Sequence, residues 1–323
     1  MPAPWRPQGY VPDRAATDRF VSSLKYPTLA EAGPKLKNND NQDVVLYPAI
    51  LKVDPLYKRV AQAIGSCVGH GWAGCGDALA STEIVVHGEA EDWKGRILES
   101  SIYGVSRVEA RGKTRAGTAD GSFGAAAAKA VMQWGVLHYG VDYGGTVFKD
   151  YSGIREKQWG DTGMPDELEK FAKQRRIKTT TLVTDFDSYC KAISSGFPVA
   201  ICSGQGFTMS RSKGKTDDDI VNRGFATPRG EWLHCMAGIG KRGGKRPGGL
   251  IWNSWGSKAH TGPHYSGIPD RPDDIPAEFR GSTFWVDAEV LDKMLKSWQD
   301  SFALSSYDGF PPRKLPSWTG GIL

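Results

Sequence analysis

The chain alternates between stretches with a helical hydrophobic period and shorter apolar runs. Val68, Trp72, Cys75 or Gly76, and Leu79 recur at the three- and four-residue spacing of one helix face, which predicts a helix from Cys67 to about Val86. Gly69, Gly71, Gly74 and Gly76 lie inside it, each costing about 1 kcal/mol relative to alanine. Such a helix needs a reason for its glycines, and close packing against neighbouring backbone supplies one. A loop to Gly76 with a helix only afterwards is the competing reading. Trp93, Ile97, Ile102 and Val105 predict a helix over 91–108, and Ala125 to Val136 a small-residue helix closed by Gly135. Further helices are expected at 165–174, with proline and acidic residues at its start, and at 187–195, where Gly196 suits the C-cap.

Beyond residue 196 the period shortens. Phe197–Cys202, Leu233–Ile239, Gly249–Asn253 and Thr283–Val286 read as strands, and 288–297 as a final short helix. Residues 208–230, with Lys213–Lys215 and Asp217–Asp219, read as a polar inserted loop; 257–280 reads as a Pro/Gly-rich loop and the tail after Ser306 as irregular. Residues 1–45, rich in Pro, Lys, Asn and Asp, read as an extended arm lying on the surface or reaching a protein partner, and Val44–Leu51 as a short extended segment. Helices first and strands second is an α+β order. The expected division is the arm at 1–45, one domain at 46–300 with a helical lobe to about 180 and a β-rich lobe after it, and an irregular tail at 301–323.

Composition narrows the function. At 323 residues the chain can bury a large core, and a net charge of +5 falls short of a nucleic-acid-binding composition. Five cysteines, an odd number with no CxxC pair, argue against both a disulfide framework and a zinc site. The N-terminal residues lack the apolar core of a signal peptide, and no run is long enough to span a bilayer, so a cytoplasmic or virion-associated protein with no membrane partner is expected. No residue pattern calls for a cofactor or a metal.

The chemistry gathers around Gly65-Ser66-Cys67. A thiol at a helix N-terminus faces unpaired N–H groups and the positive end of the dipole, both of which favour the nucleophilic thiolate. A thiolate also needs a base, and an imidazole needs a third group to hold its tautomer. His234, in Trp232-Leu233-His234-Cys235, and Asn253, in Asn253-Ser254-Trp255-Gly256, supply these types downstream, with Trp255 placed to cover the His–Asn hydrogen bond. His70, three residues past Cys67, is a weaker alternative base. Cys235 should face away from His234 into the core, and Cys75 should pack. His260 and His264 form an HxxxH spacing inside a loop, where a metal pair is not favoured. Lys241–Arg246 reads as a solvated hairpin tip rather than a phosphate site.

In this order, Gly-Ser-Cys, then His with its small-residue strand, then Asn-Ser-Trp-Gly, the chain resembles the papain-like cysteine peptidases, of a bacterial or phage type. Asp120-Gly121-Ser122 before a small-residue helix and Gly196-Phe197-Pro198-Val199 before the His strand fit the same resemblance, which covers about 45–300. It implies a two-lobed α+β fold with the cleft between the lobes. It implies a cysteine endopeptidase with Cys67 as nucleophile, His234 as base and Asn253 as orienter, cleaving a polypeptide substrate. Gly65, Ser66, Gly121, Ser122 and Trp255 would line the substrate cleft. The family's oxyanion-hole glutamine stands six residues before the cysteine; that position is Ala61 here, and Gln62 is the residue to take the role. The family's first disulfide cysteine and its inhibitory pro-domain are missing. His234 lies 167 residues past Cys67, more than the family's roughly 130–150, so insertions are expected, chiefly at 208–230. Two other readings compete: a structural or assembly protein, virion-associated, on the same scaffold, and a hydrolase of cell-wall or isopeptide bonds.

Overall fold

The computed structural model describes residues 8–38, 41–88, 92–211, 224–260, 277–313 and 315. The organising element is α4 (Cys67–His87), with α1 (Arg14–Ser23), α2 (Leu29–Ala32) and α3 (Tyr47–Val53) before it. After it come α5 (Glu99–Arg107), α6 (Gly124–Gln133), α7 (Gly153–Thr162), α8 (Asp166–Ala172) and α9 (Phe186–Ser194), and late in the chain α10 (Ala277–Ser282) and α11 (Ala288–Trp298). The strands are β1 (Val44–Val45), β2 (Thr179–Leu182), β3 (Val199–Arg211), β4 (Ala226–Arg242), β5 (Gly248–Trp252), β6 (Thr283–Asp287) and β7 (Phe302–Ser305). The described strands pair in the order β2-β7-β3-β4-β5-β6, with β1 on β4, and every named pair is antiparallel.

The α4 helix runs its full expected length and is buried along most of it. Its glycines have the reason the sequence required. A β-carbon at Gly69 would fall 2.8 Å from the Tyr103 side chain on α5, and one at Gly71 2.8 Å from Cys235 Sγ on β4. The helix therefore lies against α5 on one side and the sheet on the other, at backbone distance. It ends where Gly88 turns left-handed at φ +64°, a conformation that costs glycine little. The main core lies between α4 and the sheet; a second apolar cluster, including Leu98, Val105, Leu137, Trp159 and Leu168, fills the helical half.

Several elements differ from the sequence reading. Of the apolar run 44–51, only Val44–Val45 is strand; with Pro48 in the first turn, where its missing N–H costs nothing, the rest winds into α3. The helix expected from residue 91 starts at Glu99, because Gly95 at φ +95° and the Ile97–His138 bridge hold the preceding chain open. The segment read as an extended arm carries α1, capped by Asp13, and α2, opened by a Thr28–Glu31 capping box. Strands β3 and β4 extend into both flanks of the stretch read as the 208–230 loop, whose residues 212–223, with the Lys213–Lys215 and Asp217–Asp219 runs, lie outside the described residues. Of the tail expected to be irregular from 301, Phe302–Ser305 is strand, paired with β2 and β3; residues 314 and 316–323, and 261–276 of the Pro/Gly-rich loop, lie outside the described residues. No described helix is long and apolar enough to cross a membrane.

Candidate active site

Cys67 is the first residue of α4, and its side chain is completely buried. The turn before it is pinned from the helical half, since Gly65 N–H donates to Asp120 Oδ2 at 3.0 Å. Asp120 opens the segment that continues through Gly121 and Ser122, and Arg107 clamps that segment. Its guanidinium donates to the carbonyls of Gly117, Ala119 and Gly121, and its Nε to Gly160 O at 2.6 Å. Ser122 is held by its hydroxyl on Ser106 Oγ at 2.8 Å. Gly65, Ser66, Gly121 and Ser122 thus converge on one side of Cys67.

On the other side β4 presents His234. Cys235 N–H, the next backbone donor, points at Cys67 Sγ at 3.3 Å. His234 Nε2 and Asn253 Oδ1 are 2.7 Å apart. The amide orientation follows from its neighbours. Ser254 N–H donates to Asn253 Oδ1 at 2.7 Å, and Asn253 Nδ2, which can only donate, meets His260 Nε2 at 2.8 Å. With Oδ1 turned toward His234, the imidazole must carry its proton on Nε2. Its Nδ1 is then an acceptor, and it is buried without a hydrogen bond. The Trp255 ring stacks on His234 at 4.6 Å, and Trp232 packs edge-on against Trp255 at 4.7 Å, which keeps water from the His–Asn contact. His260, met in the sequence only as half of an HxxxH spacing, turns out to hold the orienting amide; His264 lies outside the described residues. No group of three metal-ligating side chains occurs among the described residues.

Gln62 ties the two sides together. Its N–H donates to Ser254 O at 2.9 Å, its Oε1 accepts from Ser254 Oγ at 2.5 Å, and its Nε2 donates to Ile64 O at 2.9 Å in the turn ahead of Cys67. His70, the alternative base, points elsewhere: its Nε2 lies 3.2 Å from Glu156 Oε1 in a wholly buried pair.

The cleft between these walls is filled by the chain itself. Residues 8–11, expected on the surface or on a partner, thread it. Gly9 and Tyr10 N–H both point to Leu233 O, at 3.3 and 3.1 Å, and Leu233 N–H donates to Gln8 Oε1 at 3.1 Å. Across the cleft, Val11 N–H donates to Ser122 O at 2.8 Å and Ser122 N–H to Gly9 O at 2.9 Å, a parallel bridge. Tyr10 buries its ring against Trp298, near Asp300, which also accepts from Thr17 Oγ1 and from Gly124 and Ala125 N–H at the head of α6. These contacts are mostly backbone to backbone, and nothing in the sequence pointed to them.

Burial sets the protonation. It pushes the Cys67 thiol well above its usual range, although Cys235, Gly9 and Val68 N–H groups oppose the shift. It lowers His234 to about 4, against the pull of Asn253 and with Coulombic help from His70 and Arg59. With the cleft filled, thiol and imidazole are therefore both neutral.

The fold has solved counterparts. The cysteine protease xylellain from Xylella fastidiosa matches 95% of this chain over 95% of its own, with a TM-score of 0.51 and 15% identity. The proCathepsin B S9 from Trypanosoma congolense matches 92% of this chain over 85% of its own, with a TM-score of 0.51 and 9% identity. No protein-family model and no curated protein matches the sequence. The chain has the papain-like α+β fold that the sequence led us to expect.

Proposed function

We propose that this chain is a papain-like cysteine peptidase, latent while residues 8–11 fill its cleft. The observation that carries the reading is the His234–Asn253 bond, which places the imidazole proton on Nε2 and leaves Nδ1 as a buried base, one residue from the N–H that meets Cys67 Sγ. When the arm leaves, His234 takes the thiol proton and Cys67 attacks the substrate carbonyl. The imidazolium then gives its proton to the leaving amine, and water hydrolyses the thioester. The Cys67 N–H and the Gln62 amide stabilise the oxyanion. Asn253 holds the imidazole, and Trp255 shields the bond. Ser122 and Leu233, which bond the arm, offer the same backbone groups to a polypeptide.

The test is a thiol-directed peptide electrophile on the full chain, with the label located by mass spectrometry, together with hydrolysis of an unfolded protein by Gly9→Val and by Gly9→Val/Cys67→Ala. Label on Cys67 and hydrolysis in the first variant only are expected. Slow labelling spread over all five thiols, or equal hydrolysis by both variants, would leave a scaffold protein.

A further inference from the structure

Besides Cys67, the arm covers a pair of thiols. Cys202 on β3 and Cys235 on β4 are direct cross-strand partners, so their side chains leave the sheet on the same face. Neither backbone N–H is used between the two strands at this step. Cys202 donates to Ser301 Oγ at 3.1 Å and Cys235 to Cys67 Sγ at 3.3 Å. The two residues therefore form a non-hydrogen-bonded pair, the kind that brings opposed Cα atoms to about 4.5 Å. That lies within the roughly 4.4–6.8 Å that a disulfide spans. The thiols already meet side chain to side chain, and both are fully buried.

What buries them is partly fixed and partly removable. Gly71 of α4 lies over Cys235, where a β-carbon would stand 2.8 Å from Sγ. On the other side is Tyr10, whose N–H meets Leu233 O two residues before Cys235 and whose hydroxyl is near enough to feel the charge of Asp300, Cys202 and Cys235. Tyr10 belongs to the threaded segment and leaves with it; α4 does not. While Tyr10 is in place, burial holds the Cys202 thiol far up, the unreactive form.

We propose that Cys202 and Cys235 are a reversible disulfide site in the wall of the cleft, closed to oxidant while Tyr10 is seated and open once it leaves. The oxidant is a small peroxide. One thiolate attacks the O–O bond to give a sulfenic acid and water. The second thiol then displaces the hydroxyl as a second water and forms the S–S bond. Two thiols and one hydrogen peroxide give one disulfide and two waters, and an external dithiol reverses the change. The cross-link would tie β3 to β4 directly behind His234. The link would then form only in chains whose cleft the arm has left.

The test uses the full chain with Cys67→Ala, which removes the competing nucleophile, alone and combined with Tyr10→Ala. Both are treated with hydrogen peroxide, alkylated and digested without reduction. A peptide linking 202 to 235, two hydrogens lighter than the reduced pair and lost on dithiothreitol treatment, should form faster in the Tyr10→Ala chain. Equal rates in the two chains would overturn the gating. An unlinked pair in the open chain, or a link that runs instead to Cys75 or Cys190, would overturn the site. Adding Cys202→Ala, which introduces no buried hydroxyl, should abolish the link. Gly9→Ala opens the cleft with Tyr10 intact and serves if Tyr10→Ala does not fold. The readout is a covalent link in a chain without Cys67, so it stands whether or not the cleft hydrolyses peptides.

Discussion

Gly9 rests so close to the carbonyl oxygen of Gly65 that a β-carbon on Gly9 has no room. The neighbour is backbone at the mouth of α4 and cannot swing aside, so a side chain at Gly9 must displace the arm.

The arm is held by a handful of cleft hydrogen bonds, each contributing about 1 kcal/mol net. A backbone clash outweighs several of them. Gly9→Val is therefore expected to expel residues 8–11, and the rate at which iodoacetamide labels Cys67 should rise above that of the unsubstituted chain. Equal rates would mean that the arm does not govern access to the thiol.

His260 acts on the imidazole through Asn253. His260→Ala removes the acceptor for Asn253 Nδ2 and lets the amide rotate. With the cleft opened by Gly9→Val, turnover should fall about tenfold for the loss of roughly one hydrogen bond. KM should stay unchanged, since His260 lies behind the His–Asn pair. A changed KM with constant kcat would place His260 in substrate binding instead.

Stability should depend on pH through His234. Its folded pKa is about 4 against an ordinary value of 6.5, so the unfolded chain binds the extra proton between those values. Stability is thus fully present above pH 6.5 and lost as pH falls toward 4, by an amount on the order of 3 kcal/mol. Urea denaturation of the unsubstituted chain and of His234→Gln across that range measures it. The variant should show the shallower slope; parallel curves would contradict the assignment.

Arg107 organises the Ser122 wall with four backbone carbonyls on one guanidinium. Arg107→Ala leaves the Gly121 and Gly160 carbonyls buried and unpaired and should cost about 2–3 kcal/mol in chemical denaturation. Arg107→Lys should not restore the loss, because a point ammonium cannot reach carbonyls on both sides of the fork. Full recovery with lysine would reduce the site to a charge requirement.

The sequence revealed elements where one face is repetitive and missed them where tertiary partners decide. α4 was legible from Val68, Trp72 and Leu79, yet the reason for its glycines sat in Tyr103 and Cys235, far along the chain. α7 escaped because Gly-Ile-Arg-Glu-Lys-Gln-Trp-Gly-Asp-Thr is mostly polar, with only Glu156, Trp159 and Gly160 buried. β7 escaped because four residues carry little period, and its partners β2 and β3 begin more than a hundred positions earlier. At the candidate site, Cys67, His234 and Asn253 could be named because each residue type has a chemical reason. The threading of residues 8–11 could not, since peptide groups bond alike in every sequence. His260 was hidden because the short turn that brings it back onto Asn253, seven residues earlier, carries no hydrophobic period.

Beyond the cleft the N-terminal segment is bolted down: Arg14 donates to Gln299, Thr17 to Asp300, and Lys25 pairs with Asp308. Val11, the last of the threaded residues before that anchorage, is 53% exposed. While the chain is continuous, the plug is present at the high effective concentration of a short tether, whatever the dilution. A single backbone cut near Pro12 would replace that local concentration with the bulk one. The same four residues, with the same bonds, would then bind as a dilute peptide, and the cleft would open without any helix or strand having to move.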